Sequence, residues 1–113
     1  MTIADLISFG ADVTEGLKRC LNNEAFYLRM VKMIPGDPNF QRLEDSIGTG
    51  DLATAFEAAH ALKGATANLS LTPILAPVAE LTELLRARTA IDYSALLEAI
   101  RKGREELEAI CAK

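Results

Sequence analysis

Apolar residues recur every three or four positions along this 113-residue chain, and nowhere do they alternate with polar ones for the length of a strand. That spacing predicts helices throughout, and Pro, Gly, Asn and Asp mark where each begins and ends. The first runs over about Ile3 to Phe9 and stops at Gly10. A second follows Asp12 or Thr14 as N-cap, with Leu17, Cys20 and Leu21 on one side. Asn22-Asn23 interrupts or recaps it, and Phe26, Tyr27, Met30, Val31 and Ile34 continue the stripe to Pro35-Gly36.

Asp37 is the expected cap of the next helix, with Pro38 at its first position and Phe40, Leu43 and Ile47 inward. Gly48-Thr49-Gly50 is the expected turn. Asp51 caps a helix reaching about Leu69, and Thr72-Pro73 opens another with Leu75, Val78, Leu81 and Leu85 inward. Pro77 lacks an amide proton, so an irregular start or a kink is expected there. Asp92 caps the last helix, which offers Tyr93, Leu96, Leu97, Ile100, Leu107 and Ile110 to the core. Short loops between amphipathic helices predict antiparallel neighbours. The expected fold is therefore all-α: an up-and-down antiparallel four-helix bundle with additional N-terminal helices, forming one domain over residues 1–113.

Half the residues are apolar and a quarter charged, the composition of a soluble globular domain. A formal net charge of -4 argues against nucleic acid, which wants a basic patch. Cys20 and Cys111 are too far apart in sequence for a metal knuckle or a disulfide framework; the sequence leaves a single bridge between them open, and the expected reading is a pair of reduced, partly buried thiols. MTIADLISFG has neither a basic region nor a long apolar run. It reads as neither signal peptide nor membrane span, so a cytoplasmic location without membrane contact is expected.

Motifs for familiar chemistries are weak. Gly48-Thr-Gly50-Asp-Leu-Ala53 matches a dinucleotide-binding spacing, but QRLEDSI before it reads as helix where that motif needs a strand. One His and two distant Cys do not suggest a metal site. Nothing beside the histidine resembles a nucleophile elbow.

What remains is the helix AHALKGATANLS, from Ala59 to Ser70, which holds the chain's one histidine, His60. On a wheel of about 100° per residue, Leu52, Ala55, Ala59, Leu62, Thr66 and Leu69 form the inner stripe. His60 points away from it, with Ala53, Glu57, Gly64 and Ala67 as wheel neighbours and Lys63 and Phe56 towards the boundary. A mid-helix glycine costs about 0.5–1 kcal/mol relative to alanine. At i+4 it also removes the side chain that would stand beside the imidazole. Lys63, at i+3, puts a cation where an anion on the ring would want one.

His60-Ala-Leu-Lys63-Gly64 with Ala65-Thr-Ala-Asn68-Leu69 resembles the H-x-L-K-G-x-x-x-N-L signature of histidine-containing phosphotransfer (HPt) domains. VTEGLKRCLNNEAFYLRMVKMI resembles the segment before that family's phosphohistidine helix, so the likeness extends over nearly the whole chain. One departure is Ser70, where the family usually has glycine at the helix end.

The resemblance implies a phosphorelay carrier rather than an enzyme. His60 would be the phosphoacceptor, Lys63 would hold the phosphoryl oxygens, and Gly64 would keep the approach clear. The implied partners are response-regulator receiver domains and a hybrid histidine kinase. No cofactor is implied for this chain, since the Mg²⁺ would sit on the receiver. Two other readings stand beside this one: the phosphotransfer domain of a chemotaxis-type histidine kinase, and a helical adaptor that no longer transfers phosphate.

Overall fold

Seven helices and no strand make up the computed structural model, which describes residues 1–113. They are α1 (Ile3–Phe9), α2 (Val13–Arg19), α3 (Glu24–Met33), α4 (Asn39–Thr49), α5 (Leu52–Asn68), α6 (Thr72–Arg86) and α7 (Ser94–Cys111). Most begin where a short polar side chain can take an amide that the helix leaves unpaired. Thr2 and Asp5 make a reciprocal capping box on α1. Asp12, Asn23 and Asp51 each accept from the amide three residues on, at 3.2, 3.1 and 3.1 Å. Of the two caps open for α2, Asp12 is the one used, and Asn23 recaps the chain as α3.

Several local expectations shift. Leu21 is not on the inner stripe: its φ of +57° carries it out of α2, and it is 89% exposed. Phe26 is exposed too, and Tyr27 and Val31 carry the burial of α3. Asp37 and Asp92 act one residue earlier than an N-cap should. Each accepts from the amide two residues on, at Asn39 and Ser94, both at 2.8 Å, and Pro38 and Tyr93 occupy the cap positions. Gly48 is helical, so the turn after α4 rests on Gly50 alone, at φ +79°. On α6 the buried position is Ile74, and Leu75 is half-buried. The helix runs through Pro77 without a break. Pro77 lies within its first two turns, where the only amide lost is the one owed to the Pro73 carbonyl.

α4 to α7 form the four-helix bundle. α5 packs against α4 on one side and α6 on the other, and α6 packs against α7. Arg101 closes the ring from α7 to α4 through Glu44, 2.9 Å apart. Ala55, Ala58 and Ala59 are fully buried along α5, and such small side chains let neighbouring backbones approach closely. Leu62, Ile74, Val78, Leu81, Leu85 and Leu107 fill the aliphatic centre, each completely shielded. Burying such a side chain contributes about 1.5–3 kcal/mol. Thr66 and Thr82 share that core because each hydroxyl donates to the carbonyl four residues back, both at 2.7 Å. Cys20 is buried, Cys111 half-buried, and both are free.

The N-terminal helices close the end of the bundle where α5 passes into α6. Tyr27 is fully buried and its hydroxyl donates to the Leu69 carbonyl at 2.9 Å. The Asp12 amide donates to the Ser70 carbonyl at 3.0 Å. Ser70 itself has a φ of +53°. Its amide donates to Ala67 and that of Leu71 donates to Thr66, at 3.1 and 2.9 Å. This paired ending is the Schellman motif, whose left-handed residue is usually glycine. The serine therefore ends α5 in the conformation a glycine would take.

Candidate functional site

α5 carries the candidate residues on its solvent side. Ala59, Leu62 and Thr66 face inward, and His60 and Gly64 face out, both exposed. The helix is firmly started. Asp51 accepts from the Thr54 hydroxyl at 2.7 Å as well as from its amide, and these bonds hold its carboxyl below the ordinary range. Thirteen of the seventeen residues of α5 are other than Gly, Thr or Asn, and alanine, the best helix former, dominates them. Such a helix tolerates one glycine.

At Gly64 the tolerance leaves open space. A Cβ built there would meet nothing within 4 Å. The glycine thus fills no packing need, and the open space it leaves lies one turn beyond the imidazole.

Phe56 is closer to the site than the wheel suggested. Its ring stacks on that of His60, with centroids 5.7 Å apart and planes 22° from parallel. Two guanidinium groups lie over the same phenyl ring, that of Arg86 at the end of α6 at 4.9 Å and that of Arg88 just beyond the helix at 5.6 Å from its centre. The face that carries His60 is therefore bordered by cations from two helices.

Lys63 is not free. Its ammonium lies 3.6 Å from one carboxylate oxygen of Glu83, whose other oxygen is 3.2 Å from the Arg86 Nε. Glu83 thus joins the lysine of α5 to the arginine of α6. On the other flank, Glu57 takes Arg42 of α4 at 2.8 Å. Nowhere do three His, Cys, Asp or Glu side chains converge as a metal would need. In the apparent dinucleotide motif, Gly48 lies inside α4 and Gly50 caps its end, with no strand before them.

Sequence reading placed His60, Lys63 and Gly64 together and missed Glu83, Arg86 and Arg88. A signal for them existed. α5 and α6 form an antiparallel hairpin, so a residue three back from Lys63 faces one three beyond its partner Glu83. Counting in this way sets Arg86 across from His60.

The sequence matches one described family. A family model for the Hpt domain matches residues 36–111, about two thirds of the chain. The chain belongs to the Hpt domain family. Hpt domains are helical modules that carry phosphoryl groups on histidine in phosphorelays. The match starts at residue 36, so it does not extend to the upstream segment where the sequence likeness was also read. No curated protein and no solved structure matches the chain.

Proposed function

We propose that this Hpt domain carries a phosphoryl group on His60 between the aspartates of receiver domains. The observation that carries the reading is the open space at Gly64 beside an exposed histidine, in a helix that needed neither. A neutral imidazole is a competent nucleophile near pH 7, since its ordinary pKa is about 6.5. A ring nitrogen attacks the phosphorus of the acyl phosphate, the bond to the aspartyl oxygen breaks with its electron pair, and the proton on the other ring nitrogen passes to solvent water. The reverse step returns the group to another aspartate.

Such transfers need in-line alignment and neutralised charge more than elaborate protein chemistry. Gly64 serves the first by admitting the receiver's loops. Lys63 serves the second, because the incoming group carries up to about two negative charges. The Mg²⁺ and the acidic pocket belong to the receiver in this reading, and the Hpt domain is a carrier without turnover of its own. The upstream helices belong to the same unit, because Tyr27 and Asp12 bond directly to the end of α5. The proposed setting is the cytoplasm; no helix is long and apolar enough to cross a membrane.

His60→Gln tests the assignment. The variant should melt with the wild type and accept no phosphoryl from a phosphorylated receiver, and the wild-type product should be acid-labile and base-stable. A receiver that still phosphorylates the variant would refute the role of His60. A parallel incubation with a kinase core and ATP distinguishes a receiver-fed carrier from a domain phosphorylated directly by its kinase.

A further inference from the structure

Glu83 is the one acidic side chain bonded to both α5 and α6 cations at this face. Its two oxygens are divided between Lys63, one turn from His60, and Arg86, whose guanidinium covers the ring that stacks on His60. All three side chains are well exposed: 37% for Lys63, 58% for Glu83 and 52% for Arg86. Water screens such pairs, and each is weak enough to exchange partners at small cost. A phosphoryl group on His60 would bring more charge than one carboxylate and three acceptor oxygens.

We propose that Glu83 is a positioning residue that holds Lys63 and Arg86 in the unphosphorylated protein and yields them to the phosphoryl group on His60. The inference rests on His60 being the phosphoacceptor. In this arrangement the carboxylate competes with the phosphoryl group for the same two cations. It keeps them in place before transfer, and it weakens their hold on the group afterwards. A carrier must release what it accepts, so an internal competitor moves the equilibrium towards the next acceptor. Without Glu83, the cations would have no competing acid and phosphohistidine would be favoured.

Phosphoramidate supplies a test that needs no receiver. The imidazole and phosphoramidate exchange a P–N bond: the ring nitrogen gains the phosphoryl group, ammonia leaves, and the ring proton goes to ammonia. At fixed ammonium concentration and pH, ³¹P NMR reads the position of that equilibrium. Glu83→Gln should move it about 2–5-fold towards phosphohistidine, the scale expected of exposed ion pairs. Thermal melting should be unchanged. The decisive comparison repeats the substitution in a Lys63→Ala/Arg86→Ala background. There the effect of Glu83→Gln should vanish, whereas simple repulsion between Glu83 and the phosphoryl group would persist.

An unphosphorylated His60 in the wild type would overturn the carrier reading itself, and this inference with it. Normal phosphorylation with no shift in Glu83→Gln, or the same shift in the doubly substituted background, would overturn the role of Glu83 alone.

Discussion

Gly16 and Gly64 both lie inside helices, and they lie there for opposite reasons. A Cβ at Gly16 would stand 2.6 Å from Cε1 and 2.7 Å from the hydroxyl of Tyr27, and 2.8 Å from the Leu69 carbonyl oxygen. One at Gly64 would touch nothing within 4 Å. The first glycine lets α2 close over the hydrogen bond that joins α3 to the end of α5. The second clears a surface. Gly103 belongs with Gly16, since its Cβ would fall 2.9 Å from Cγ1 of the buried Ile74. Gly16 and Gly103 thus mark close approaches inside the fold, whereas Gly64, like the helical Gly48, leaves open space.

The closed region also fixes a proton. Burial pushes the Tyr27 phenol up to about 12, and its hydroxyl must stay protonated to donate to Leu69. At the His60 face the side chains are exposed and their ion pairs exchangeable. Stability and transfer should therefore respond to different substitutions.

The largest effect is expected at Gly16. Gly16→Ala places a methyl group against backbone as well as against Tyr27, so the neighbour cannot simply rotate away. Overpacking of this kind costs about 1–3 kcal/mol, and loss of the buried Tyr27 hydrogen bond adds about 1 kcal/mol. Better helix propensity returns at most about 1 kcal/mol. A net loss of about 1–3 kcal/mol is expected in urea unfolding, with phosphoryl transfer by the folded fraction intact. Wild-type stability in this variant would break the comparison, because Gly16 would then be no more constrained than Gly64.

Gly64 should give the reverse pattern. Gly64→Ala should fold with equal or slightly greater stability, by up to about 1 kcal/mol, since alanine is the better helix former. Gly64→Gln should also fold, but its side chain would stand beside the imidazole in the receiver's path. Misplacement of reacting groups by about 1 Å can cost about 10²-fold in rate. A fall of about 10–100-fold in transfer from a phosphorylated receiver is expected, with melting unchanged. Full transfer by Gly64→Gln would remove the access role, and unfolding of Gly64→Ala would place Gly64 with Gly16.

The helices were legible in the sequence because their signals are local. Apolar spacing along α5 and the cap at Asp51 need no distant partner, and the outward placement of His60 follows from the same periodicity. Glu83, Arg86 and Arg88 were not, because nothing in their own helix distinguishes them from ordinary exposed charges. They gain meaning only from the register of the α5–α6 hairpin. Gly16 was missed for the same reason: Tyr27 and Leu69 are 11 and 53 positions away along the chain. Leu21 failed differently, since the periodicity was extended through a residue whose backbone had already left the helix.

Ser70 offers the smallest and finest test, because it stands at the boundary of the two regions. It ends the helix that carries His60, and its carbonyl accepts the Asp12 amide from the closed end. A non-glycine residue at φ +53° is strained, by about 1–2 kcal/mol on the scale of left-handed helical conformations. Glycine relieves that strain but loses about 0.5–1 kcal/mol more backbone freedom on folding. Ser70→Gly should therefore stabilise the protein by about 0.5–1 kcal/mol, a rise of about 2–5 °C in melting temperature. Transfer rate should stay at the wild-type value, because the hydrogen bonds that end α5 come from the backbone and survive the change. An unchanged or lower melting temperature would show that the serine is not strained in this turn. A change in transfer rate would show that the closed end and the His60 face are coupled through α5, and the separation of the two regions would fail.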